Sequence, residues 1–197
     1  MIINGRITYL ENGINTSIRA MQVQSQLMAM SNENINGFDK VGYQRKEPVV
    51  SSFTEYLGVN GLSQTSDDKV GRITMSGNPL DLAIAEKGYF QTQSDEGIKL
   101  TRDGRFKIDK EGNLLTLEDD LVLSNAGVPI KLHIVPDDIK KIKVEDSGLL
   151  SVYNDKTNKL EAVATIGVVD ANGALVMTPK VKQGYNEYSN VSLQNEF

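Results

Sequence analysis

The stretch "SGNPLDLAIAEKGYFQ", Ser76 to Gln91, decides how the rest of the chain is read. Gly77, Asn78 and Pro79 form a turn, after which Leu82 and Ile84 alternate with polar or small neighbours up to a Gly-Tyr-Phe step. A phosphate-binding glycine loop needs a strand, a loop and a helix in that order. Here the apolar residues recur at every second position, so the stretch reads as turn, strand, turn, strand.

Working outward, short alternating runs continue from Arg72 onward: "IKLTRDGRFKID", "LLTLEDDLVLS", "KLHIV", "IKKIKV", "LLSVY" and "AVATIGVV". Turn clusters separate them, which predicts a mainly β body. Asp109, Glu145 and Asp170 each stand three residues before a glycine (Gly112, Gly148, Gly173), with Leu114, Leu150 and Leu175 two beyond. An acid can bond the backbone of a turn and glycine tolerates the left-handed conformation at its end, so the repeat predicts three hairpins. Each turn supplies too few oxygens for a calcium loop. Asp103-Gly104 predicts a further tight hairpin between strands at Leu100 and Phe106.

Toward the N-terminus the period changes. Ile3, Ile7, Leu10, Ile14, Ile18, Met21 and Met28 are spaced by three, four and seven, a near-heptad stripe on a helix of about 25 residues and roughly 38 Å. Gly5 and Gly13 weaken such a helix, so its stability should come from a partner surface. That surface is the chain's own body or, as preferred here, another helix. After Ser31 the period stops, and "NENINGFDKVGYQRKEP" reads as a connecting arm. The expected organisation is an assembly helix over 1–31, an irregular arm over 32–71, a β body over 72–185 and the start of a C-terminal segment over 186–197. The fold class is α+β: a hairpin-rich, mainly β domain with a long N-terminal α-helix.

Composition narrows the function. A net charge of -5 and a pI near 5.0 argue against nucleic-acid partners, which require clustered Lys and Arg. Zero cysteines and one histidine leave no Cys- or His-rich metal site and no thiol nucleophile, and no cofactor is expected. His133 is expected on a strand, facing solvent. Ser124 and Ser151 lack a Gly-x-Ser-x-Gly elbow. The adjacent acids Asp119-Asp120 and Asp137-Asp138 would point to opposite faces of a strand and are read as turn and surface residues. Neither a cleaved signal nor a membrane-spanning run is legible, so export, if it occurs, would use another route.

Four blocks, taken in order, resemble the bacterial flagellar rod and hook protein family. The opening stretch is similar to its signature through Gly77, Asn78, Leu80, Asp81, Ala83, Ile84, Gly88, Tyr89 and Phe90. "LTRDGRFKIDKEGNLLT" resembles the next block through Thr101, Arg102, Asp103, Gly104, Phe106, Gly112 and Leu114. "NENINGFDKVGYQR" is similar to an Asn-rich segment through Asn34, Ile35, Gly42, Tyr43 and Arg45, but has Phe38-Asp39-Lys40-Val41 where the family has Asn-x-x-Thr-x-Gly. "QGYNEYSNVSLQNEF" resembles the closing block through Gln183, Gly184, Glu187, Ser189, Asn190 and Val191.

The resemblance implies a non-enzymatic structural subunit of the basal-body rod, in the periplasmic part of the flagellum, exported without a cleaved signal. It would stack with copies of itself and with neighbouring rod and hook proteins into a torque-transmitting tube. No nucleic acid, membrane span or small-molecule substrate is implied. Family chains continue into a C-terminal helix that pairs with the N-terminal one, whereas this sequence stops at Phe197. The N-terminal stripe would then be disordered, docked on the body or paired with another copy, with pairing favoured. The contrasting reading is a free-standing β-rich binding module outside any filament, and a carboxylate hydrolase comes third.

Overall fold

The computed structural model describes residues 3–49 and 63–196, the side chains of 3–12 and 195 excepted. Two compact units appear, neither continuous in sequence: Met1–Gly37 with Arg45–Asp67 and Val191–Phe197, and Phe38–Gln44 with Asp68–Asn190.

In the first unit, α1 (Ile3–Gly37) is 35 residues long, continuing past the expected end at Ser31. The apolar period stops there, but the helix does not, because Asn34 finds a tertiary partner: its side chain accepts from Lys46 N at 2.8 Å and donates to Lys46 O at 3.0 Å. Local propensity is a weak prior against such a bond. The expected arm is also less irregular than its composition suggests. β1 (Lys46–Val49) pairs antiparallel with β2 (Ser63–Ser66), whose polar and exposed residues carry no alternation to read.

The second unit holds thirteen strands among the described residues: β3 (Arg72–Met75), β4 (Leu82–Ile84), β5 (Tyr89–Ser94), β6 (Gly97–Thr101), β7 (Phe106–Ile108), β8 (Leu114–Thr116), β9 (Leu121–Val122), β10 (Ile142–Val144), β11 (Leu149–Asn154), β12 (Lys159–Thr165), β13 (Val168–Val169), β14 (Val181–Gln183) and β15 (Tyr185–Tyr188). One sheet runs β13-β5-β9-β8-β7, with β6 on β5, and a second runs β10-β11-β12. Two returning strands close the body, β14 on β4 and β15 on β3. The core includes Leu82, Ile84, Phe90, Phe106, Leu114, Ile130, Leu150, Ile166 and Val181. Phe90 and Phe106 meet edge to face at 5.2 Å, an arrangement the ring quadrupole favours.

The opening stretch forms turn, strand, turn, strand, with one difference: Leu82, Ala83 and Ile84 are all buried, so β4 is covered on both faces. The three acid-glycine turns are built alike. Asp109 N donates to Asn113 O and Gly112 N to Asp109 O, and the same two bonds recur at Glu145–Leu149 and Asp170–Ala174. Two more copies run from Thr116 to Asp120 and from Ser124 to Val128. There a hydroxyl replaces the acid, accepting the amide N–H of Asp120 or Val128. The turn acids serve their own loops: Asp109 accepts from Asn113 through both oxygens, which holds its carboxyl below the usual range.

Two strand expectations need correction. Residues 131–135 are not a strand; Lys131 makes one isolated bridge to Asn113, and His133 lies exposed in a bend, because Leu132 is anchored by its N–H to Gly112 O. Asp103-Gly104 is not a hairpin turn either. β6 pairs with β5 and β7 with β8, while Gly104 lies against β4, accepting from Leu82 N at 2.9 Å. A Cβ at Gly104 would stand 1.8 Å from Leu82 O, so glycine is required there by close approach.

The two kinds of glycine give a measurable contrast. Gly173 has φ +83° but open space around a Cβ, so Gly173→Ala should cost about 1 kcal/mol of unfolding free energy. Gly104→Ala should cost about 3 kcal/mol or more, since backbone must shift. Equal losses in chemical denaturation would refute the close approach.

Candidate functional site

Arg102 and Glu187 meet inside the second unit, their side chains 2% and 4% exposed. Arg102 Nε donates to Glu187 Oε2 at 2.8 Å, and Nη2 reaches the same oxygen. Nη1 donates to Glu86 O at 2.7 Å and Gly88 O at 2.6 Å, and Nη2 to Ile84 O at 2.9 Å. All five guanidinium N–H groups are thereby used. Glu187 Oε1 accepts from Gly71 N at 2.9 Å. One ion pair thus holds the end of β4, the turn into β5, the lead into β3 and β15.

The expected motif residues gather around this pair. Asn78 caps the turn by accepting from Leu80 N and donating to Asp81, which is buried and also receives Asn186. Gly184 N donates to Asp81 O, while Ser76 N and Gly77 N donate to Gly184 O. Leu80, Ala83, Ile84 and Phe90 are buried. Thr101 accepts from Asp103 N, and Asp103 pairs with Arg105 at 2.6 Å, raising the guanidinium's pKa through that hydrogen bond. Gly42 of the Asn-rich block donates to Glu187 O, and Ser189 N donates to Lys40 O. Asn190 donates to Lys69 O.

Gln183 acts as a side-chain splice. Its Oε1 accepts from Val144 N at 3.1 Å, and its Nε2 donates to Ile142 O and Pro79 O, each at 2.9 Å. An amide side chain therefore pairs with the edge of β10 as a neighbouring strand would, and ties it to the opening turn. Val191 is buried and belongs to the helix's unit.

The helical stripe is placed differently. Ile14, Ile18, Met21 and Met28 are 58%, 48%, 70% and 63% exposed, on one side of α1. Ile3, Ile7 and Leu10 carry side chains outside the described residues. A groove of about 270 Å³ in the second unit is lined by charged and hydroxyl side chains, Thr92, Lys99, Asp103, Arg105, Glu118 and Asp120 among them. Its cations face its own acids, Arg105 on Asp103 and Lys99 at 3.7 Å from Asp120.

A family model described as the flagellar hook protein FlgE/F/G D1 domain matches residues 83–152, from β4 into β11. The flagellar basal-body rod protein FlgF of Mesorhizobium japonicum is 24% identical over 93% of this chain and 83% of its own length. Over these spans the chain is similar to the flagellar rod and hook protein family. Rod proteins named FlgG are similar too: that of Bacillus subtilis is 28% identical over 73% of this chain and 64% of its own length. That of Buchnera aphidicola from Acyrthosiphon pisum is 25% identical over 92% and 85%. The rod-family blocks are distant in sequence and adjacent in the fold, and Arg102 with Glu187 stands where they converge.

Sequence reading quoted Arg102 and Glu187 without joining them. Nothing in the local pattern separates Arg102 from Lys99, Arg105 and Lys107 of the same run. Removing one partner leaves a buried charge, so Arg102→Met or Glu187→Gln should lose about 3–5 kcal/mol of stability, and Arg102→Lys a substantial part of that. Arg102→Met combined with Glu187→Leu should recover part of the loss in urea unfolding. Additive losses would mean that the ion pair is not the junction.

Proposed function

We propose that this chain is a structural subunit of the bacterial flagellar basal-body rod, acting through assembly and without catalysis. The match to relatives named basal-body rod proteins over 92–93% of the chain carries this reading. The exposed apolar stripe supports it: burying each Ile or Met is worth about 1.5–3 kcal/mol, a strong drive toward a partner. That partner is the stripe of another copy or of a neighbouring rod protein, joined at near-heptad spacing. The rigid body supplies the outer wall, and its charged groove, already neutralised from within, offers little to a small substrate. Export to the periplasmic rod without a cleaved signal completes the proposal. The same matches do not favour a free-standing binding module.

Two experiments test it. Deleting the flagellar export apparatus should keep the protein in the cytoplasm, and unchanged localisation would argue against the rod. Ile14→Asp with Ile18→Asp should abolish self-association in sedimentation and incorporation into basal bodies while the β body keeps its melting transition. A double variant that assembles normally would remove the stripe from the assembly surface.

A further inference from the structure

The last turns of α1, beyond the apolar stripe in sequence, carry a second device. Ser31 Oγ donates to Glu196 O at 3.0 Å, Asn34 Nδ2 to Glu196 Oε2 at 3.2 Å, and Arg45 Nε to Glu196 Oε1 at 2.5 Å. Arg45 also donates through Nη1 to Glu47 at 2.7 Å, and Lys46 pairs with Glu33. Asn34 is 1% exposed and the Glu196 side chain 4%. Three chain segments, the last turns of α1, the start of β1 and the C-terminal residues, thus meet at one carboxylate.

The polarity of this cluster matters. A buried carboxylate is costly unless its oxygens are hydrogen-bonded and its charge is paired, and here both conditions are met. Burial pushes the Glu196 carboxyl up, but bonds from Arg45, Asn34 and Ser31 leave it below the usual range. The Arg45 guanidinium is raised by the same bond. Among the described residues of the unit, β1 and β2 form a two-stranded sheet and Leu193–Asn195 is a single 3-10 turn; two-stranded sheets are marginal alone.

We propose that Glu196 is a latch that orders the C-terminal end of α1 and the start of β1, so that residues 31–37 and 45–49 are rigid only while residues 191–196 are docked on them. The latch engages Ser31 and Asn34, beyond the last stripe residue, and Ile14, Ile18, Met21 and Met28 stay exposed with it closed. It therefore leaves the stripe accessible while fixing the end of the helix that carries it. Residues 191–196 work as a conformational brace, and the charge of one side chain decides whether the brace is engaged.

The test is amide hydrogen exchange on the 197-residue chain and its variants at neutral pH. Glu196→Ala should speed exchange across 31–37 and 46–49 by at least about tenfold, leaving 72–190 at the unmodified rate. Arg45→Met should give the same local pattern, and Glu196→Gln, which keeps an acceptor for Arg45, a smaller acceleration. Unchanged exchange in 31–37 and 46–49 with Glu196→Ala would overturn the latch. So would acceleration as large in 72–190 as in 31–37 and 46–49, because the residue would then support the whole chain.

Discussion

The β body depends on one buried charge. Arg102 is almost fully removed from solvent, and a guanidinium in that setting tolerates no missing partner. Its five N–H groups fix the carbonyls of Ile84, Glu86 and Gly88 and the carboxylate of Glu187. Satisfying them dictates how the turn after β4 is bent, where β15 returns and how Gly71 enters β3. The apolar core would accept several related packings, since hydrophobic burial has no direction. Directional bonds from a planar cation select one.

A second theme is the repeated use of backbone-like polar groups to join elements. Gln183 stands in for a strand on the edge of β10, Asn34 for one beside Lys46, and Asn78 for a turn residue at Leu80. Each side-chain amide carries both a donor and an acceptor, which lets it replace a peptide group where the chain itself does not pass. In this chain these polar side chains lie inside or beside the core. Together they account for why motifs that contain no reacting group are nonetheless specific in composition.

Much of this was legible in the sequence, and the reasons for the exceptions are physical. The helix, the β body and three of the turns follow from periodicity and from acid-glycine spacing. The turns at Thr116 and Ser124 escaped because a hydroxyl does the work of an acid, and at Asp119 a non-glycine residue takes φ +70°. Residues 131–135 alternate like a strand, but a strand also needs a neighbour along its length, and here a single bridge is made. Gly104 looked like a turn residue because only the fold reveals that Leu82 O occupies the space of its missing side chain. The role of Asn34 and the junction of Arg102 with Glu187 rest on pairings that no local pattern encodes.

The separation of that junction along the chain sets a timetable. Glu187 follows Arg102 by 85 residues, and synthesis at about 5–20 residues per second puts roughly 4–17 s between the two. The hairpins built on tight turns need microseconds. The emerging body therefore has its local loops long before it can neutralise its central cation, and through that interval Arg102 must stay hydrated and the space around it open. Completion is a late, single event triggered by the arrival of one acid. A chain interrupted before Tyr185 would carry Arg102 without the carboxylate that neutralises it.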